Sequence, residues 1–398
     1  MDPLAAEWLN LALRWIHMIV GIAWIGSSFY FIWQDNHLRP NPADPEIARL
    51  QGEVWMVHGG GFYHVRKFLV APPKLPDELH WFKWEAYATW ISGISLLVLV
   101  YFLGASTHLL PPDTPLAPWQ GVAIAIAALG LSWAGYDALC RSPLGARDGA
   151  LALIGFVLAV ILCFAMSRIF SGRGTFMMMG AVLGSIMAIN VFMIIIPGQK
   201  IMFASLVKGE PVDPVHGKRA KQRSLHNNYL TLPTLFAMIS NHFPSAYTGA
   251  WNWAVFAALA VIGAGVRHYF NLRHRGNHQP WILPLAAAAL IIVGSMTRAP
   301  SAPPVALEEP GTPPPLAQAI VQARCVACHA TKPTHPDFPA PPAGAIFDTL
   351  AMTAAWADKI KASAIDSDKM PLGNLTGMSA EERVILGRWI AEGARTGR

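Results

Sequence analysis

The chain has 398 residues, 53% of them hydrophobic and only 14% charged, against about 25% charged in soluble domains. That balance excludes an ordinary soluble globular protein and points to a bilayer as solvent, as do the 15 tryptophans. The net charge of +6 does not argue for nucleic acid, because Lys and Arg cluster in short segments between apolar runs and read as topology signals.

Eight apolar runs of about 20 residues follow one another, near 8–33, 86–104, 119–139, 149–168, 175–196, 224–243, 251–271 and 280–297. The first is too long for a cleavable signal and lacks a basic leader, so it is expected to stay as a span. It carries His17 at mid-span, on one helical face with Gly21, Trp24 and Ser28. An ionisable group at that depth is costly. It either bonds a neighbouring helix or ligates a cofactor or substrate.

Between the first two runs lies a long basic loop containing His58-Gly-Gly-Gly-Phe-Tyr-His64. Its histidines could ligate something or line a turn. The third and sixth runs are interrupted or crowded by Ser132, Asp137, His226, Asn227 and Asn241. In the sixth, Asn227, Thr231, Thr234, Met238 and Asn241 share a narrow arc, bracketed by His226 and His242, and Pro233 is expected to kink the helix. A polar stripe of that length should face a cavity or the bundle interior. His17, His226, Asn227 and Asn241 are the candidate catalytic residues; interhelical hydrogen bonding is the plainer alternative. Arg267 and His268 close the seventh run and could bind an anion or lipid headgroups, although a snorkelling Arg267 is the simpler reading.

After the eighth run comes a proline-rich segment, 299–315, expected to be an extended tether. Residues 316–398 read as a separate small all-α domain. Its Cys325-Val-Ala-Cys328-His329 has the C-x-x-C-H spacing of c-type haem attachment; a chance match or a zinc or redox pair is the alternative, but a zinc site would want two further ligands and His335 is the only other nearby candidate. Two thiols add to the haem vinyl groups, and the next histidine is left beneath the ring as an axial ligand. Met370, in Lys-Met-Pro, is the preferred sixth ligand, ahead of Met378 and Met352. The haem iron would thus lie between His329 and Met370. Residues 316–324 should lead into the motif as a helix. Ser379 and Glu382 form a capping box before an apolar face of Val384, Ile385, Trp389 and Ile390.

The loops set orientation. Loops 34–85, 140–148, 197–223 and 272–279 hold most of the Lys and Arg, whereas 105–118 and 244–250 hold none. By the positive-inside rule the basic loops are cytoplasmic and both termini lie outside, with the short turn around Arg168 and Arg173 as the one exception. That is the side on which c-type haem is attached, so two independent signals agree. The expected architecture is an all-α polytopic bundle of about eight spans, 1–298, a linker, and a cytochrome c domain.

Taken together, Trp15-Ile-His17, His58-Gly-Gly-Gly-Phe-Tyr-His64, the spans, the linker and Cys325-x-x-Cys328-His329 resemble the bacterial membrane-bound, cytochrome c-linked urate oxidases. The resemblance covers the whole chain and rests on the arrangement of domains more than on one motif. It implies an inner-membrane enzyme of purine catabolism that oxidises urate to 5-hydroxyisourate. Electrons would pass to the tethered periplasmic haem c, and onward to a soluble cytochrome c or a terminal oxidase. The first helix (His17, Trp24, Gly26, Tyr30) is also similar to that of small haem-b membrane proteins of the bacterial protoporphyrinogen oxidase type. A cytoplasm-facing urate site would lie about 30 Å of hydrocarbon from the tail. Either the site opens outward or a second cofactor, a haem b with His17 as first-choice ligand, relays the electrons. The competing readings are a haem-c electron-transfer subunit without substrate chemistry and a transporter with a redox-sensing tail.

Overall fold

A computed structural model describes residues 3–42, 50–68, 72, 75–111, 114–297, 313–335, 338, 340–366 and 370–396. The described chain is helical apart from one β-hairpin, as an all-α bundle requires. Helix α1 spans Pro3–His37, α2 Trp84–Leu96, α3 Pro118–Arg141, α4 Asp148–Ser167, α5 Gly172–Ile189, α6 Ile196–Lys208, α7 Pro214–Ile239, α8 Asn252–His274 and α9 Ile282–Met296. Every apolar run therefore falls on a helix. Six helical stretches among the described residues are long and apolar enough to cross a membrane, with α5 and α6 counted as one stretch, Gly172–Lys208. The sixth run, in α7, is too polar to qualify, and the eighth, in α9, is too short.

The burial pattern is that of a bundle meant for lipid. Leu11, Ile16, Ile19, Ile22, Leu153, Ile161, Ile291 and Ile292 are exposed, on α1, α4 and α9. The tightest packing surrounds α5, where Phe176, Met178, Met179, Val182, Leu183 and Ile186 are buried. A polar backbone group has no water to turn to at this depth, so continuous helices are the required answer.

Two expectations fail locally. The loop expected over 197–223 is mostly helix: α5 passes through a π-helical turn, Asn190–Ile195, directly into α6, leaving only 209–213 before α7. Pro197 looks like a helix breaker, yet it lies in the first turn of α6, where a missing N–H costs least. The wide turn before it absorbs the mismatch. Asp213 caps α7 by accepting from Val215 N at 2.8 Å.

The long basic loop also holds structure. Strands β1 (Leu50–His58) and β2 (Gly61–Phe68) pair antiparallel around Gly59 and Gly60. Both glycines have positive φ, 57° and 81°, as a tight two-residue hairpin turn demands. His58 flanks that turn, while His64 stacks on Trp55 and bonds Glu53 at 2.9 Å, so the two histidines do not converge. Lys67 ties the hairpin to Asp35 of α1.

In the tail, α10 (Pro313–Arg324) runs into the Cys325–His329 motif, and its first turn takes in prolines assigned above to the linker. The rest of the linker, 299–312, lies outside the described residues. Short helices α11 (Leu350–Ala354) and α12 (Ala357–Ile360) precede α13 (Ala380–Ala391). The capping box forms as expected, Ser379 and Glu382 each bonding the other's backbone N–H. The apolar face of α13 is shifted: Leu386, Trp389 and Ile390 are buried, whereas Val384 is 62% exposed.

Candidate functional site

The tail brings three of its four candidate residues, Cys325, His329 and Met370, to one core. Cys325 and Met370 pack against the cluster of Ala317, Ile320, Phe347, Leu350, Leu386 and Trp389. The His329 ring lies against Phe347, with centroids 4.8 Å apart. Its Nδ1 donates to Ala345 O at 3.1 Å, which fixes the ring and leaves Nε2 as the ligating atom. Burial lowers the His329 pKa, which favours the neutral imidazole that binds metal, and pushes the Cys325 thiol up to about 12. The Met370 backbone is held at both ends: its N–H donates to Ser363 O at 2.8 Å and its carbonyl accepts from Arg383 at 2.9 Å. Of the other methionines, Met378 is buried and Met352 exposed. The Cys325–Cys328 pair, an oriented imidazole and a methionine held by its backbone, beside one apolar core, fit a c-type haem, whose iron His329 and Met370 would hold.

The membrane domain holds a larger polar network where α3, α5 and α7 meet. Arg223, with 4% of its side chain exposed, pairs with Asp137 at 2.6 Å. Arg141 takes the other oxygen of Asp137, also at 2.6 Å. Asn190, fully buried at the start of the π-turn, donates to Tyr136 at 3.1 Å and to Asn227 at 3.0 Å. Asn227 in turn donates to Met187 O at 2.9 Å. His226 hydrogen-bonds the Tyr136 hydroxyl at 2.7 Å, and the Arg223 guanidinium lies over the Tyr136 ring. Beside the network is a cavity of about 190 Å³ whose polar lining includes Arg141, His216, Arg219, Gln222 and Arg223. It is smaller than the roughly 300 Å³ at which ordinary ligand pockets begin.

Of the four candidate catalytic residues, only His226 and Asn227 come together. Asn241 sits at the far end of α7, where it accepts from Tyr101 at 2.8 Å and Arg173 at 3.0 Å. His17 is in the seam of α1 and α2: Nδ1 bonds Ser92 Oγ at 3.0 Å and Thr89 O at 3.1 Å, and the ring packs on Gly93. Among the described residues no hydrogen bond joins these three places. Tyr136, Arg141, Asn190 and Arg223 are the members that sequence reasoning missed. A lone asparagine in the run Ile189-Asn190-Val191 is a usable signal; Arg223 was hidden inside a basic stretch taken for loop.

Residues 3–298 match the family described as urate oxidase N-terminal. No curated protein and no solved structure matches the chain.

Proposed function

The chain belongs to the urate oxidase N-terminal family, and from that membership we propose that it oxidises urate to 5-hydroxyisourate and passes the electrons to a c-type haem on its own tail. The family match supports a urate-directed oxidoreductase. The observation that carries the electron route is the placement of Cys325, His329 and Met370 against one core, with Cys328 in the same turn as Cys325.

The stoichiometry is urate plus water giving 5-hydroxyisourate, two protons and two electrons. A haem attached at Cys325 and Cys328 supplies a one-electron acceptor, so dioxygen is not needed for the substrate step. His329 and Met370 would hold the iron, and the Ala345 carbonyl would keep the imidazole aligned. The tail touches the bundle where loops 105–118 and 244–250 lie: its turn Leu372–Asn374 packs against Pro244–Ala246, and Ala340 borders a cavity with Ser106, Thr107 and Thr114. Neither loop holds Lys or Arg, which supports a periplasmic tail on an inner-membrane bundle. A soluble cytochrome c or a terminal oxidase would then drain the haem.

The test follows urate loss, peroxide and haem absorption together in three proteins: wild type, a chain ending after Thr297, and Cys325→Ala/Cys328→Ala. Wild type is expected to reduce its haem with urate alone and without stoichiometric peroxide. The other two are expected to lose turnover. Peroxide matching urate consumed, or undiminished urate loss without the haem, overturns the mechanism. Failure of urate to reduce the haem would leave the chain an electron-transfer subunit.

A further inference from the structure

The four candidate residues above all find hydrogen-bond partners inside the protein. A group elsewhere does not. Arg267 on α8 is only 5% exposed, so it does not snorkel, yet its Nε and Nη2 have no hydrogen-bond partner. Among the described residues no carboxylate pairs with it. One turn away, Asn271 (2% exposed) donates to Asn228 of α7 (0% exposed) at 2.9 Å, which leaves Asn271 Oδ1 and Asn228 Nδ2 unmet. Turning both amides over changes nothing in the account: one N–H₂ and one carbonyl remain. The guanidinium carbon stands 3.8 Å over the ring of Phe29 on α1.

Nε and Nη2 share one edge of a guanidinium and form its two-pronged fork. The chain shows what that fork does when filled: in Arg324 the same two nitrogens clasp both oxygens of Glu382 at 2.9–3.1 Å. Arg267 presents the same fork, buried, with an aromatic ring on its face. A buried cation calls for a counter-charge. Water could satisfy the amides but brings no charge.

The geometry points to the seam of α1, α7 and α8 as the binding site for a planar anion that also bears ring N–H groups, the urate monoanion, gripped by Arg267 with Asn228 and Asn271. This rests on the urate reading above. A deprotonated ring nitrogen beside a carbonyl offers the two-acceptor edge that the fork takes. The amide pair wants one acceptor and one N–H donor, which a purine trione anion has and a carboxylate or fully ionised phosphate lacks.

The test measures urate binding to the detergent-solubilised full chain by equilibrium dialysis. Arg267→Gln and Arg267→Lys are each expected to weaken binding by at least about thirtyfold, the lysine because a point charge cannot present the fork. Asn271→Asp places a carboxylate one helical turn from Arg267. It is expected to fill the fork, abolishing urate binding without lowering the melting temperature, so the test survives if Arg267→Gln fails to fold. Covalent haem should be unchanged in Asn271→Asp. Wild-type affinity in Arg267→Lys or Asn271→Asp, or displacement of urate by equimolar acetate or phosphate, overturns the site while leaving urate oxidation standing. If the wild-type chain neither binds urate nor is reduced by it, the urate reading fails first and the site with it.

Discussion

Asp137 shows how a single residue can be noticed in a sequence for the wrong reason. It stands out as an interruption in an apolar run, but its two oxygens are spoken for by Arg141 and Arg223. Without it, Arg223 stays in the core with only Asn190 and the face of Tyr136. Removing one partner of a buried pair costs about 3–5 kcal/mol. Asp137→Ala is therefore expected to lower the melting temperature in detergent sharply. The double variant Asp137→Leu/Arg223→Met should recover much of that loss, since neither charge is then stranded. Equal losses in the single and the double variant would mean that the pair does not hold the helices. Asn227 was legible as a residue that faces inward because its period could be counted along one helix, and His226 only as the residue bracketing that stripe. Their partners on α3 and α5 were not, because contacts across helices leave no period in the chain.

At the scale of elements, the reading succeeded where one local rule governs and failed where two compete. Helices follow from runs of apolar residues, and the capping box from Ser379 and Glu382 alone. Pro197 pits a helix breaker against a continuing apolar pattern; the π-turn resolves the contest, and no pattern of residue types announces it. Val384 illustrates the same gap, since an apolar residue on α13 can face either way until the neighbours are known. Glu382 carries more than its local role. Besides capping α13 it clasps Arg324 at the end of α10, with side chains 4% and 3% exposed, next to Cys325. Glu382→Gln keeps a capping oxygen yet leaves the Arg324 charge facing a neutral amide. The expected cost is about 3 kcal/mol, within the range for breaking a buried pair. Because the helix end that carries the cysteines would loosen, covalent haem yield on a peroxidase-stained denaturing gel should fall in membranes expressing equal amounts of chain. An unchanged yield would show that the pair is dispensable to the motif.

Across the whole molecule, charge and contact agree on direction. The tail rests against loops 105–118 and 244–250, which lack Lys and Arg, although the neighbouring α4–α5 turn carries Arg168 and Arg173, while Arg267 lies toward the end that carries Arg273 and Arg275. A phosphatase fused after residue 398 should be active and one inserted in 209–213 inactive; the reverse pattern would move the tail to the cytoplasm. The same layout sets a problem in electron transfer. From Arg267 to Asn252, at the end of α8 nearer the tail contact, are fifteen residues, about 22 Å at 1.5 Å per residue. Urate surrenders two electrons, whereas one haem accepts one. A substrate bound at Arg267 therefore calls for a second redox group within the bundle, both to span the gap and to hold the odd electron. His17 is the residue that would serve it: Ser92 and Thr89 hold Nδ1, which would leave Nε2 as the nitrogen to bind such a group. The purified chain is expected to give a haem b signal beside haem c in a pyridine haemochrome assay, and His17→Ala to lose the b component while keeping the c component. Haem c alone, with urate still reducing it, would bring the oxidation to the tail's end of the bundle, among Tyr101, Arg173 and Asn241, where the distance to the acceptor is short and the haem takes the two electrons one after the other through a one-electron-oxidised urate.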